Sequence, residues 1–267
     1  MKRILRAFRL IAAALKEQVR AEKAFLGNFW FGMIGRIIYN IMFLLFIDVL
    51  FKRVGNIAGY SQNDFLFMYF MAQFGFYITY ACIFQAAQRL LLTVRTGNLD
   101  LLLLKPVPHR SFLYVQGLQP IDLFFTLVTT LPLVASQINW ATLDIAAGPA
   151  LIGVIIWICG IIICNTFVFA LVLPAFKTGD ATDTLNVFYS ITALGSVPYG
   201  KLPVFMKILS LSVLPHLLLS GAAVEVMLQK GDTLAIILPV LAATVFSLGI
   251  YQFMWRYALR NYTSASS

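Results

Sequence analysis

The 267-residue chain is 60% apolar and 12% charged, with a mean hydropathy of +0.85. Soluble domains are about 45–50% apolar and about 25% charged, so this composition excludes one. The net charge of +9 would point to nucleic acid in a soluble chain. Here the cations gather at the ends of apolar runs, where membrane topology and lipid headgroups account for them, and no nucleic-acid partner is expected.

A bilayer core takes about 20 apolar residues per helical span, and the chain supplies several such runs. The expected fold class is therefore an all-α polytopic membrane protein, a single transmembrane domain over 1–267. Cys82, Cys159 and Cys164 all fall inside apolar runs and read as small core residues, not as a disulfide framework or a zinc site. No short apolar stretch leads to a small-residue cleavage site, so no cleaved leader is expected.

Residues 1–27 carry seven cations, among them Arg6, Arg9, Lys16 and Arg20. At helical spacing these share one stripe, while Ile4, Phe8, Ile11, Leu15 and Val19 share another. The pattern describes a helix lying in the headgroup plane; the plainer alternative is a basic tail that only sets topology. The first span covers 28–51 and contains Arg36, Asn40 and Asp48. Because a charge at mid-bilayer costs at least about 2.5–3.5 kcal/mol, Arg36 either faces protein or a pathway, or snorkels to the surface.

After a short outer loop, a span rich in Phe and Tyr covers 64–84. A segment with Arg89, Arg95, Lys105 and Arg110 follows over 85–111, with a Gly97–Asn98 turn and two prolines at its exit. The third span covers 112–137, with Pro120, Asp122 and Pro132 inside it, and the fourth covers 145–173, ended by Pro174. A small polar inner loop, 175–183, leads to a fifth span over 184–197. That span meets Gly195 and Pro198 too early to cross alone.

The region 198–230 holds two half-length apolar segments broken by Pro198, Pro203 and Pro215. They read as re-entrant hairpin helices, tolerable only where protein or a cavity shields the free backbone groups. The rival is one kinked crossing followed by another. The last span covers 233–255. With six spans, fourteen cations lie inside and five outside, with Arg36 left in the first span; the asymmetry places both termini in the cytoplasm.

Catalysis finds little support. His109 and His216 are far apart and lack the Cys, Asp or Glu neighbours of a metal site. His109 reads as a loop residue and His216 as a helix-end residue. No phosphate-cradling glycine loop with lysine occurs, so ATP, if used, is bound by another chain. In 85–111, the apolar Leu90, Leu91, Leu92 and Val94 between Arg89 and Arg95 suit a short amphipathic helix at the inner membrane surface. Gly97–Asn98 ends it, Leu99–Leu104 is too short to cross, and Pro106 and Pro108 stiffen the return. Such a unit fits a partner's groove as a knob, or rests on lipid as a solvated connector.

The stretch RTGNLDLLLLKPVP resembles the signature segment of ABC-2 type ABC transporter permeases, specifically a branch of six-span export permeases. That motif reads roughly Gly-x-Leu-Asp-x-x-Leu-x-(Lys/Arg)-Pro, which Gly97, Leu99, Asp100, Leu103, Lys105 and Pro106 fit, with Arg95 just ahead. The importer signature Glu-Ala-Ala-x-x-x-Gly is not met. The resemblance implies the transmembrane permease subunit of an ATP-driven exporter in a bacterial inner membrane. It implies two ABC ATPase subunits holding ATP and Mg²⁺, no cofactor on this chain, a second permease copy, and ATPase contact through 85–111 and the N-terminal helix.

It also implies a pathway between the copies, lined partly by spans one, two and five, and an outer gate at the broken hairpin, with Pro198 and Pro215. Arg36, Phe74, Tyr77, Phe188 and Tyr189 are the pathway candidates, with inter-helix packing as the alternative for each aromatic. The intramembrane acids read as Asp48 and Asp122 alone, so lipids, hydrophobic metabolites, peptides and polysaccharides all stay open as substrates. Two other classes stand beside this one. A membrane enzyme on lipid-linked substrates requires convergent acids or histidines, and an ion-coupled secondary transporter requires midplane ionisable groups and paired repeats.

Overall fold

The structure, a computed structural model, describes residues 12–13, 16–20, 26–105, 108–192 and 197–262. Arg6, Arg9 and Pro106, and most of the expected 1–27 helix, lie outside the described residues. Among the described residues there is no strand, only an isolated bridge between Ile57 and Tyr60.

Among the described residues, four helices are long and apolar enough to cross a membrane. Helix α1 is Leu26–Val54, α2 is Gln62–Arg95, α6 is Ala147–Val172 and α11 is Thr233–Arg260. Between them lie α3 (Leu99–Leu103), α4 (His109–Gly117), α5 (120–135), α7 (Ala175–Thr178), α8 (Thr182–Thr192), α9 (Val204–Ser210) and α10 (216–227).

Helix α2 starts at a capping box. The Ser61 Oγ faces the Asp64 amide at 3.3 Å, while Asp64 Oδ2 accepts from the Ser61 amide at 2.7 Å, so two otherwise orphaned donors are satisfied together. The helix then continues through a π turn, Thr79–Phe84, into Gln85–Arg95 without a break. An independent amphipathic helix over 85–96 was expected; the observed backbone extends the second span instead. Nothing in Gln85–Arg95 is a proline or glycine, so the hydrogen-bond ladder has no reason to stop there. The polar side chains end the apolar run but not the helix.

The third segment differs as well. A single span over 112–137 was expected. Helix α4 already begins at His109, which is therefore a helix residue and not a loop residue. It ends at Leu118, whose ψ of 139° is extended and takes the chain out of the helix two residues before Pro120. Helix α5 then begins at Pro120 and passes through a π turn, Thr126–Thr130. The fifth passage is helical over Thr182–Thr192, two residues earlier than expected.

The described side chains form two buried clusters. At one end, Leu217, Leu218 and Leu219 of α10 sit at zero or near-zero exposure, packed with Met68, Ile156 and Ile163 of α2 and α6. At the other, Leu90, Leu91 and Val94 of α2 pack with Leu99, Leu113, Val168, Val172 and Trp255. The second end carries Arg89, Arg95, Lys105, Arg110, Lys177, Arg256 and Arg260, and we call it the basic end. At the far end, Lys52, Arg53, Lys201, Lys207 and Lys230 are interspersed with Asp48, Asp64, Asp144, Glu225 and Asp232.

Helices α2 and α4 cross closely at the basic end. A Cβ placed on Gly117 would lie 2.3 Å from Ala86 Cα and 2.6 Å from Ala86 N, which is backbone and cannot rotate away. Small residues permit such approach between membrane helices. Gly117→Ala should therefore destabilise the purified protein by about 1–3 kcal/mol. Gly249→Ala, on α11 with open space around it, should be neutral or stabilising by up to about 1 kcal/mol. Thermal unfolding in detergent distinguishes the pair; equal midpoints would refute the crossing.

Candidate functional site

The segment singled out by the sequence lies at the basic end, at the exit of α2. Leu90, Leu91 and Val94 are buried against α4 and α6, so the apolar stripe expected to lie on lipid is covered by protein. Withdrawing a leucine from water contributes about 1.5–3 kcal/mol, enough for this stripe to hold the helix end in place. Thr96 closes the helix, its Oγ donating to the Leu92 carbonyl at 2.8 Å, and Asn98 Nδ2 donates to the Thr96 Oγ at 2.8 Å. Gly97 takes φ +71°, a conformation that glycine enters without Cβ strain, and so reverses the chain into α3.

The expected apolar knob is half core. Leu99 and Leu102 are buried, whereas Leu101 and Leu104 are 61% and 81% exposed. Leu103 is half-buried and Asp100 lies on the partly exposed side, where its charge and burial together raise the Tyr262 phenol above its usual range, burial being the larger cause. Arg89, Thr93, Thr96, Asn98, Leu101 and Lys105 line a groove of about 250 Å³ beside this helix.

The four cations of the segment separate by environment. Arg110 donates to Gln252 Oε1 at 2.6 Å and lies over the Trp255 and Tyr251 rings at 5.2 and 5.5 Å, a structural anchor of α4 on α11. Tyr114, one turn on, donates to Asn165 of α6 and meets the Tyr251 hydroxyl at 3.1 Å. Lys105 lies 5.5 Å from the Phe112 ring. Arg95 faces Asp180 at 3.7 Å. Arg89 makes no ion pair among the described residues.

Asp180 belongs to the second inner loop. Gly179 takes φ +78° after α7, and Asp180 Oδ1 then accepts from the amides of Ala181 and Thr182 and from the Thr182 hydroxyl, at 2.8, 3.0 and 2.6 Å. The carboxylate thus caps the start of α8. The Thr182 hydroxyl, then the Thr182 and Ala181 amides, and last the Arg95 charge hold it below the usual carboxylate range. Of the N-terminal candidates, Lys16 and Arg20 fall in a helical stretch, 16–20, where Arg20 pairs with Glu17 at 2.8 Å on an exposed surface. Such a pair is worth at most about 1 kcal/mol.

The pathway candidates do not line one surface. Phe188 has 0% exposure, its ring 4.9 Å from Phe84 and 5.3 Å from His216. Tyr77 is buried with its hydroxyl 3.4 Å from Asn40 Nδ2, and Asn40 in turn accepts from Tyr69 at 2.8 Å and donates to the Arg36 carbonyl at 2.7 Å. Phe74 stacks on Trp157 at 5.0 Å. Of the five, Tyr189 is exposed, Arg36 is half-buried and Phe188 is an inter-helix packing residue in this chain. Pro198 and Pro215 are both buried where the broken region folds back, and the Val197 carbonyl lies against Gly221.

Two buried acids were missed by sequence reasoning, which counted only Asp48 and Asp122. Asp64 pairs with Lys230 at 2.5 Å, and that ammonium also lies 4.8 Å from the Tyr60 ring. Glu225, at 3% exposure, accepts from the Gly200 amide. The signals were present: Ser61-x-x-Asp64 is a capping-box spacing, and Glu225 is an isolated charge in an apolar run. Among the described residues no three His, Cys, Asp or Glu side chains come together as a metal site.

Comparison with known proteins gives one match. The family described as ABC-2 family transporter protein covers residues 37–266, nearly the whole described bundle. No curated protein and no solved structure matches the chain.

The Asp180 cap has a signed pH dependence. A carboxylate lowered on folding contributes stability above its unfolded value, near 3.8, and loses it as pH falls through the folded value. Hydrogen exchange at the 181–182 amides, corrected for intrinsic rate, should therefore be slow at neutral pH and accelerate only below the ordinary carboxylate range. Asp180→Ala should give the fast exchange at neutral pH. Protection unchanged in that variant would refute the cap.

Proposed function

The chain belongs to the ABC-2 family of transporter proteins, and from that premise we propose that it is the membrane-spanning permease subunit of an ATP-driven exporter. The observation that carries the reading is the uninterrupted α2 helix. It joins the Asp64–Lys230 ion pair at the far end to the groove lined by Arg89, Asn98 and Lys105 at the basic end. A helix of this kind transmits a push at one end as a rigid displacement at the other.

In this reading the basic end faces the cytoplasm, as the cation distribution favours, and the shorter α5 and α8 passages complete six spans with the four long helices. Two ATPase subunits dock on 85–105 and hold ATP and Mg²⁺; this chain contributes no catalytic group. A second permease copy forms the other wall of the pathway, and the folded-back 197–231 region closes the far end. ATP-driven closure of the ATPase pair tilts α2, and with it α1 and α8, a rigid-body response to a partner with two states. The cargo is hydrophobic or amphipathic and leaves from the cytoplasm or the inner leaflet.

Asp100→Asn and Lys105→Ala should each lower permease-dependent ATPase stimulation by roughly tenfold, the scale of one lost charge-assisted contact. Membrane insertion and thermal stability should stay unchanged. The assay is reconstitution with the ATPase that co-purifies with this chain. Normal coupled transport by both variants would refute the docking role, and absence of any associating ATPase would refute the exporter reading itself.

A further inference from the structure

The face of α2 opposite its buried stripe is polar in a regular way. Gln85, Gln88, Arg89, Leu92 and Arg95 recur at the spacing that aligns residues on one side of a helix, while Ala86, Leu90, Leu91 and Val94 are buried on the other. That polar face forms one wall of a cavity of about 410 Å³, closed by Gln116 and Gln119 around the α4–α5 break, by the start of α8, and by Gln18. Its size is in the range of sites for small ligands, roughly 300–1,000 Å³.

The lining has a definite chemistry. Among the described residues it carries two guanidinium groups and no carboxylate. Arg89 has no ion pair among the described residues. Arg95 meets Asp180 only at 3.7 Å, and Asp180 already spends its other oxygen on the α8 cap. Among the described residues, no protein group engages the amides of Gln85, Gln88, Gln116 or Gln119, although all four edge the same recess. Gln85, Gln116 and Gln119 are half-buried while Gln88, Arg89 and Arg95 are exposed, so a ligand can reach all of them, and planar guanidinium forks match phosphate oxygens in pairs. Amides, which both donate and accept, suit the hydroxyls of a polyol beside such a phosphate.

We propose that this cavity is a binding site for a phosphate-bearing polyol headgroup, with Arg89 and Arg95 on the phosphate and the surrounding glutamine amides on the hydroxyls. The site stands on the cavity itself. Its place at the entrance of the transport route rests on the permease reading, and would make the cargo an anionic amphiphile. The same chemistry is offered by the headgroup of an anionic lipid and by a free sugar or glycerol phosphate.

The test uses the full chain without any ATPase, so its result is separate from the exporter reading. Protein reconstituted in phosphatidylcholine bilayers, with or without phosphatidylglycerol, is released and its retained lipid counted by native mass spectrometry. Glycerol phosphate and inorganic phosphate are titrated against the same protein by calorimetry. The expected result is retention of phosphatidylglycerol, or binding of glycerol phosphate, that falls about tenfold in Arg89→Gln and further in Arg89→Gln/Arg95→Gln. Arg89→Lys should keep part of it, and Lys177→Gln, which removes a cation from the same end outside the cavity, should leave it unchanged.

Lipid retention marks a membrane source and glycerol phosphate binding a soluble one. Equal loss in Lys177→Gln would reduce the effect to general surface charge and overturn the site. So would undiminished binding in the double variant, or no binding of any probe. Thermal midpoints of the variants matching the unsubstituted protein exclude misfolding as the cause of a loss.

Discussion

Everything else in this fold is arranged around the fact that α2 does not stop at the end of its apolar run. Its thirty-four residues span roughly 51 Å at 1.5 Å per residue, more than the roughly 30 Å hydrocarbon core. The π turn at Thr79–Phe84 lies where α2 packs against α6 and the Phe188 ring, and the Thr79 hydroxyl donates to the Gly75 and Phe76 carbonyls there. The extra residue is absorbed with its hydrogen bonds accounted for, so the turn shifts the facing of the helix without creating a joint. Such π turns concentrate at functional positions, and this one separates the part of α2 that packs on α10 from the part that packs on α4.

The far end depends on charge burial. Asp64 is buried while the Lys230 ammonium reaches solvent, so this pair lies between the exposed and the fully buried kind. The Asp64–Lys230 contact ties the last turn before α11 to the first turn of α2. Glu225, bonded to the Gly200 amide, ties α10 to the turn at Tyr199–Lys201. The first contact fixes the folded-back 197–231 region to the helix that reaches the basic end, and the second closes that region on itself.

At the basic end the same helix presents three different surfaces. Its apolar stripe is structural, its glutamine and arginine face walls a cavity, and its tip opens on the groove beside Asn98 and Lys105. Arg89 borders both the cavity and the groove. A ligand in the one and a protein in the other would share that side chain, which would couple the two sites.

Much of this was legible in the chain itself. Length and hydropathy determined the membrane class and the four long helices, because a bilayer demands runs of that length whatever the packing. The Gly97–Asn98 pair determined the turn, since only local chemistry is involved, whereas the apolar stretch after it was legible as a knob and not as the helix it forms. Tertiary structure decided the rest. A separate helix over 85–96 was expected, yet that stretch continues α2 and is covered by α4 and α6. Phe188 is a packing residue because α2 and α10 close over it, a neighbourhood that no local pattern encodes. Arg110 is an anchor because Tyr251 and Trp255, far along the chain, supply the rings beneath it. Glu225 is tolerated because the backbone at Gly200 folds back to meet it. In each case the deciding partner is distant in sequence, and it determines whether a charge or an aromatic ring is exposed or enclosed.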